Sequence, residues 1–169
     1  LFGGSGLSIA ANGIGIRNID SDIWVENDIT DPYPRITFHN LDYGIYTSVS
    51  TGYTQTQVYG AKFTWCASWA CWTDFTSSSG GHIFLAEYND IEQTQTALSR
   101  FNGARKTFSG IGITGYGYCD VTLNNFKTDI DNTTDSKPNY QFYYNGTGIG
   151  EKEIIRSNSL VANDFRTSI

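Results

Sequence analysis

The stretch Val121-Thr-Leu-Asn-Asn-Phe126 holds the pattern on which the fold depends. It reads as an aliphatic residue, two variable residues, a small or polar residue, one variable residue and a bulky apolar residue. Further copies start 22 to 38 residues apart along the chain, at Ile14–Ile19, Ile36–Leu41, Val58–Phe63, Ile83–Tyr88 and Ile155–Leu160. Self-similarity at such spacings is typical of repeat proteins, in which each unit is stabilised by stacking on its neighbours.

A second short run of β-branched and aromatic residues accompanies each hexad. Ile23-Trp24-Val25 and Ile45-Tyr46-Thr47 begin nine residues after the first residue of the first two hexads. Similar runs precede the later hexads, namely Ala70–Trp72, Gly110–Ile113 and Phe142–Tyr144. Bounded by Gly, Asn, Asp and Ser, these runs predict a unit of strand, corner, strand and variable loop.

Two architectures can be built from this unit. In a parallel β-helix, equivalent strands pair along the axis and their inward residues form ladders at a spacing of about 4.8 Å. Asn18, Asn124, Asn125 and Asn158 suit its corners, where amide side chains satisfy the backbone groups of turns. The alternative, an antiparallel β-sandwich, gives no reason for one hexad to recur. We therefore predict an all-β fold, a right-handed parallel β-helix of about six or seven rungs, formed by residues 1–169 as one domain.

One segment departs from the strand pattern. Residues 89–106 place Ile91, Thr94, Leu98 and Phe101 roughly on one face of a helix, and Gly103 would end it. The segment is therefore a candidate helix; the alternative is a loop inserted in a rung, which would account for the longer 38-residue spacing there.

The segments Ile36–Tyr46, Gly110–Phe126 and Ile154–Leu160 resemble rungs of right-handed parallel β-helix repeat proteins. They are most similar to the large secreted or surface-attached versions of Bacteroidetes-type bacteria. The resemblance covers roughly residues 10–169, except 89–106, and implies a secreted or cell-surface location. Related architecture occurs in polysaccharide lyases, glycosidases and phage tailspikes, so the resemblance indicates an architecture rather than one activity.

The composition excludes some classes of partner. A net charge of −6 argues against nucleic acid, because a phosphate backbone requires a basic face. No apolar run reaches 18 residues, so we expect no membrane insertion. The chain contains no methionine. We therefore expect a processed chain or a domain of a longer extracellular protein, with flanking domains as partners.

The three cysteines, Cys66, Cys71 and Cys119, fit the role of small buried hydrophobic residues. A disulfide between Cys66 and Cys71 is the alternative, and it requires a turn between them. We expect no metal site from these thiols, because no CxxC spacing occurs.

Paired aspartates allow a different kind of site. They occur at Asp20 and Asp22, Asp28 and Asp31, and Asp129 and Asp131. Such pairs commonly cap the backbone of turns, so we expect no cofactor and no metal site; the alternative is that a pair binds Ca²⁺. A lyase would combine such a site with a basic residue that abstracts a proton, for which Lys62 and Arg35 are candidates.

Hydrolase chemistry needs two carboxyl groups that face each other across a groove. The candidates are Asp20, Asp42, Asp74 and Glu87. Polygalacturonase-like enzymes carry a set of four motifs, of which Asn18-Ile-Asp20 and Gly81-His82-Ile83 are partial matches; the paired Asp-Asp and the Arg-x-Lys are missing, which argues against that activity. His39 and His82 are candidate general bases, or satisfied polar residues of strands.

Aromatic residues cluster between positions 59 and 75. Their flat faces can stack on sugar rings, and their polar groups can bind hydroxyls. The alternative is packing in the core or at an interface with another domain. The spacing of 65, 69 and 72 breaks strict alternation, which predicts a bulged or looped segment. The predicted ligand-binding residues are Trp65, Trp69, Trp72, Tyr59 and Tyr46.

These observations favour a non-enzymatic, extracellular binding or adhesion module that presents aromatic faces to a glycan or to a cell-surface protein. The first alternative is a polysaccharide lyase or glycoside hydrolase with a groove along the rungs. The second alternative is a segment of a viral or phage fibre or tailspike, which would be trimeric.

Overall fold

The computed structural model describes residues 2–3, 13–28, 30, 36–75, 82–94, 109–115, 118–129, 142–146, 152–156 and 159–162. The strands are β1 Phe2–Gly3, β2 Ile14–Ile19, β3 Ile23–Glu26, β4 Thr37–Val49, β5 Thr54–Tyr59, β6 Lys62–Phe75, β7 His82–Glu87, β8 Asp90–Thr94, β9 Ser109–Gly115, β10 Tyr118–Thr122, β11 Asn125–Asp129, β12 Phe142–Gly146, β13 Lys152–Arg156 and β14 Ser159–Ala162. The described part of the chain is thus all-β, and no helix in it could cross a membrane.

The strands form three faces. Face 1 consists of β1, the first half of β4 (37–41), the first half of β6 (62–66), β8, β11 and β14. Face 2 consists of β2, the second half of β4 (43–49), the second half of β6 (69–75), β9 and β12. Face 3 consists of β3, β5, β7, β10 and β13. Because β4 and β6 belong to both of the first two faces, these join into one nine-stranded sheet.

Strand order around the three faces is constant. The chain runs from face 1 to face 2 to face 3, and among the described strands it completes five such circuits from β1 to β13. All strand pairings between described residues are parallel, and each joins one circuit to the next. The antiparallel sandwich considered as an alternative is therefore wrong.

Register identifies the true repeat. Residues that lie opposite one another on face 3 are 33, 28, 35 and 34 residues apart, and they are Val25, Val58, Ala86, Val121 and Ile155. The hexads that start at Val58, Val121 and Ile155 are therefore in register. Their equivalent in the third circuit starts at Ala86, so the predicted copy at Ile83 is displaced by three residues.

The two earliest hexads occupy other positions. Ile14–Ile19 is the whole of β2 on face 2, whereas Ile36–Leu41 enters β4 on face 1. These two copies are strands of the same protein, but they are not equivalent to the hexads at Val58 and Val121. Alternation of apolar residues in any inward-facing strand produces a similar pattern.

The corner between faces 3 and 1 is built on two buried asparagines, Asn89 and Asn124. The Asn124 Oδ1 atom accepts hydrogen bonds from the backbone N–H of Asn89 at 3.1 Å and from its Nδ2 at 2.9 Å. Asn124 Nδ2 donates to the carbonyls of Ala86 at 2.9 Å and Thr122 at 3.0 Å. Asn89 Oδ1 accepts from the N–H of Ala61 at 2.9 Å. The amides thus satisfy turn backbone that would otherwise be buried without partners.

The residue before each of these corner positions has a left-handed backbone. Tyr88 has φ 56° and Leu123 has φ 55°, and the equivalent turn of the second circuit uses Gly60 at φ 68°. A non-glycine residue in this conformation costs roughly 1–2 kcal/mol. The hydrogen bonds of the asparagines offset that cost, and they confirm the predicted corner role of Asn124. Asn158 lies outside the described residues.

The core is a set of ladders inside the three faces. On face 1, fully buried side chains follow one another from circuit to circuit, in the order Phe38, Phe63, Ile91 and Phe126. The rings of Phe38 and Phe63 stack with centroids 4.8 Å apart and planes 7° apart. A buried apolar side chain of this size contributes about 1.5–3 kcal/mol. Gly44 faces this ladder, because a Cβ there would come within 2.6 Å of the Phe63 ring.

The helix considered for residues 89–106 is corrected by this fold. The predicted helix over 89–106 is wrong for its described part, because Asp90–Thr94 is strand β8 on face 1; residues 95–106 lie outside the described chain. The residues Ile91 and Thr94 that suggested a helical face occupy a strand paired to its neighbours in the previous and next circuits. Pairing with those strands overrides a weak helical pattern.

The cysteines take the buried role. Cys66, Cys71 and Cys119 are each buried and none is in a disulfide. Cys66 and Cys71 lie in the continuous strand β6, which contains no hairpin that could bring them together. Burial raises the pKa of both thiols, so they are neutral and unreactive packing groups.

Candidate functional site

Face 2 carries a cluster of aromatic side chains on its outer side, here named the aromatic platform. Its members are Tyr43, Tyr46, Trp69, Trp72 and Tyr143, and all are partly exposed. The rings of Trp69 and Trp72 are 4.7 Å apart, and Trp72 lies nearly parallel to Tyr143 at 6.3 Å. Tyr43 and Tyr46 meet edge to face at 5.4 Å. Trp69, Trp72 and Tyr143 thus form one contacting group, and the tyrosine pair lies on the neighbouring strand, where Tyr43 pairs with Trp69 and Tyr46 with Trp72.

Trp69 and Trp72 share one side of strand β6, where their rings contact each other. They are three residues apart, a spacing that regular alternation would place on opposite sides. Ala70 and Cys71, between them, are both buried. The register between β4 and β6 shifts just before this point, between Leu41 and Tyr43, which confirms the predicted bulge.

A glycine in strand β9 makes room for the two indole rings. Gly112 pairs in register with Trp72, and the following strand places Tyr143 opposite Gly112. A Cβ on Gly112 would overlap the Trp72 ring and would lie 2.8 Å from the Trp69 ring. Because glycine has no Cβ, Trp72 can lie over strand β9 and approach Tyr143 two strands away.

Polar groups border the aromatic platform on both sides. At one side the Ser68 hydroxyl donates to the Asp42 carboxylate at 2.6 Å. Burial, and to a smaller degree the Asp42 charge, raises the pKa of the Tyr43 hydroxyl, which therefore remains a donor at neutral pH. At the other side the Thr114 hydroxyl donates to Asp74 at 2.9 Å.

The predicted ligand-binding residues do not all lie on the same face of the structure. Tyr46, Trp69 and Trp72 come together in the aromatic platform. Tyr59 lies on face 3, where it meets Tyr88 edge to face at 5.4 Å. The backbone of Trp65 lies in strand β6, and its side chain is outside the described part of the protein.

Sequence reasoning missed Tyr143 as a site residue, although the signal was present. The runs Cys71-Trp72, Ile111-Gly112 and Phe142-Tyr143 are equivalent segments of successive circuits. Aligning them places Trp72, Gly112 and Tyr143 in one column. The alternation of a small residue between two aromatic ones is the pattern that marks the platform.

The carboxylates proposed for hydrolysis do not form one site. Asp20 lies in the turn between faces 2 and 3, where hydrogen bonds from Ser50 and Thr51 hold its pKa below the usual value. Asp42 and Asp74 lie on opposite borders of the aromatic platform. Glu87 is on face 3, opposite Tyr59.

The aspartate pairs act as turn caps wherever they are described. Asp22 accepts from the N–H of Gln55 at 2.7 Å, and Asp28 accepts from the N–H and hydroxyl of Thr30. Asp31 and Asp131, and the side chain of Asp129, lie outside the described residues. Within the described residues, no group of three or more His, Cys, Asp or Glu side chains could hold a metal ion.

The two histidines occupy different environments. His39 Nδ1 is 2.9 Å from the Thr64 hydroxyl on the outer side of face 1. His82 points inward, with Nδ1 2.5 Å from the Thr54 hydroxyl and its ring against Phe75 at 4.0 Å. Burial lowers the pKa of His82 to about 3, so the ring is neutral and is shielded from any substrate outside.

The basic residues considered for lyase chemistry give no base beside an aspartate pair. Lys62 forms an ion pair with Glu92 at 3.4 Å on face 1, and Glu92 also meets Lys127 at 3.8 Å. Arg35 lies outside the described residues.

The aromatic platform thus combines partly exposed aromatic rings with polar side chains on two borders. Flat rings with polar borders suit sugar rings, and they also suit apolar side chains of a protein. Comparison of the chain with protein-family models, with curated proteins and with solved structures gives no match in any of the three.

Proposed function

We propose that the chain is a right-handed parallel β-helix domain of a secreted or cell-surface protein, and that it binds a glycan through the aromatic platform without cleaving it. Three-face circuits of parallel strands support the β-helix. A rigid, repetitive sheet is suited to hold several rings at fixed positions, so that little conformational entropy is lost on binding.

The observation that carries the proposal is the contact geometry of the rings. The rings of Trp69, Trp72 and Tyr143 each contact the other two, with Trp72 over the gap left by Gly112, and all three rings remain partly exposed. A cluster that served only the core would be buried like Phe38 and Phe63, which have no exposed surface. Aromatic rings kept at the surface by a dedicated glycine indicate a binding role.

A binding role fits the described carboxylates better than an enzymatic one. Asp20, Asp22 and Asp28 accept hydrogen bonds from the backbone of turns. Asp42 and Asp74 are each bonded to a hydroxyl and lie on opposite borders of the platform. Each of these five carboxylates therefore has a structural contact of its own.

The test is native electrophoresis of the purified protein through gels that contain a panel of polysaccharides. Retardation in a gel with intact polymer is the expected result, and Trp72→Ala should abolish it. Trp24→Ala is the matched control, because Trp24 is 56% exposed on face 3, away from the platform. Clearing of the polymer around the band would establish an enzyme instead, and no retardation in any gel would favour a protein partner.

A further inference from the structure

Two parallel rows of side chains cross the strands on the outer side of face 2. One row contains the aromatic residues and their spacer, in the order Tyr46, Trp72, Gly112 and Tyr143. The second row lies two residues further along each strand and is named the polar row; it contains Ser48, Asp74, Thr114 and Asn145. An aromatic row thus runs beside a row of hydroxyl, carboxylate and amide groups.

The direction of the rows matches the shape of an extended polysaccharide. Neighbouring strands are about 4.8 Å apart. This distance is close to the length that each sugar residue adds to an extended, β-linked chain. A chain that lies across the strands would therefore meet a new strand with each sugar. The ring faces would contact Trp72 and Tyr143, and the hydroxyl edges would point to the polar row.

The charges beside the rows distinguish between classes of polysaccharide. Asp42 and Asp74 border the aromatic row on its two sides, and both are held in place by hydroxyl groups. Arg17 lies in register with Tyr46, at one end of the row. The chain as a whole carries a net charge of −6. A polymer with a carboxylate on each sugar would bring like charges close to both aspartates, which disfavours binding.

We propose that the aromatic platform binds a neutral, extended, β-linked polysaccharide, which lies across the strands of face 2 with its sugar faces on the aromatic row and its hydroxyls on the polar row. This inference rests on the proposed glycan-binding function. It adds the class of polymer and the direction in which the polymer lies.

The test compares polymers that differ in charge. Gels are cast with hydroxyethylcellulose, glucomannan or xylan, and with carboxymethylcellulose, which has the cellulose backbone and added carboxylates. At least one neutral polymer should retard the protein, and carboxymethylcellulose should bind about tenfold more weakly than hydroxyethylcellulose or not at all. With oligosaccharides of the bound polymer, calorimetry should show affinity that rises to about four sugars, one for each strand of the rows, and then levels off.

Two substitutions test the orientation without removing an aromatic ring. Gly112→Ala displaces Trp72 and should weaken binding about tenfold. Asp74→Lys replaces a negative charge of the polar row by a positive one, and it should strengthen retardation by carboxymethylcellulose about tenfold. Circular dichroism of both variants checks that the fold is retained, and Trp24→Ala should bind as the unaltered protein does.

The outcomes separate this inference from the function on which it rests. Retardation by acidic polymers alone, lost in Trp72→Ala, would overturn the neutral class and leave glycan binding in place. An unchanged response of Asp74→Lys to carboxymethylcellulose would overturn the orientation. Absence of binding to every polymer would overturn the proposed function and this inference together.

Discussion

The corner at Asn89 and Asn124 and the aromatic platform of face 2 are built from similar repeats but have opposite properties. In the corner, polar side chains are buried and their hydrogen bonds are made within the protein. In the platform, apolar rings are kept partly outside by the gap at Gly112. The corner residues therefore stabilise the fold, whereas the platform residues leave surface available for a partner.

The largest effect is expected in the corner. Asn124→Ala removes one hydrogen bond each from the backbone N–H and the Nδ2 of Asn89 and from two carbonyls in the buried interior, where an unsatisfied group costs about 1–3 kcal/mol. We expect a loss of at least about 3 kcal/mol in the free energy of unfolding, measured by urea denaturation. Asn125→Ala, at the exposed neighbouring position, is the matched control and should cost less than about 0.5 kcal/mol. Equal effects of the two substitutions would contradict the role of the corner.

His82 is an inward polar group that differs from the corner asparagines, because only one of its two ring nitrogens has a hydrogen-bond partner among the described residues. Its Nε2 atom is buried and has no hydrogen-bond partner among the described residues. Since burial lowers its pKa from 6.5 to about 3, the unfolded chain binds a proton that the folded protein does not. Protonation of His82 therefore does not affect the free energy of unfolding above pH 6.5. Below pH 6.5 the free energy of unfolding should fall by about 1.4 kcal/mol per pH unit, until the pH reaches the folded pKa.

Urea denaturation between pH 7 and pH 4.5 measures this dependence. His82→Gln should remove most of the slope, whereas His39→Gln, on the outer side of face 1, should keep it. If the slope survives in His82→Gln, other groups are responsible and the buried, neutral state of His82 is wrong.

A smaller effect, of opposite sign, is expected at the turn before Asn124. Leu123 is 40% exposed and has φ 55°, a conformation that glycine adopts without strain. Leu123→Gly should therefore stabilise the protein by up to about 1 kcal/mol, less the side-chain contacts that are lost. Thermal unfolding provides the measurement. Leu85→Gly, within strand β7, should be destabilising, and a destabilisation of the same size at Leu123 would mean that its turn carries no strain.

Much of the fold could be predicted from the sequence, because inward positions repeat in every circuit. The hexads at Val58 and Val121 have the register that the structure shows. Asn124 lies in a corner, as predicted. The predicted copy at Ile83 is displaced, because Ile83, Phe84 and Ala86 are all apolar and the sequence does not show which of them face inward. In the structure Ile83 is 40% exposed, whereas Phe84 and Ala86 are buried. Only pairing with Val58 decides which residues face inward.

The candidate site was less predictable, because its residues come from different circuits separated by variable loops. Trp69 and Trp72 are near each other in the chain, and their cluster was found. Tyr143 reaches them only through strand pairing, and Tyr59, close in sequence, is carried to another face. The density of aromatic residues indicates a surface of interest, but register determines which of them share it.

The central claim is that the aromatic platform binds a ligand and the corner maintains the fold. The most direct measurement is to determine, for Trp72→Ala, both the free energy of unfolding and the retardation in the polysaccharide gel that retards the unaltered protein. We expect that retardation is lost, while the substitution costs less than half of the stability that Asn124→Ala costs. Retardation unchanged in a folded Trp72→Ala protein would contradict this claim.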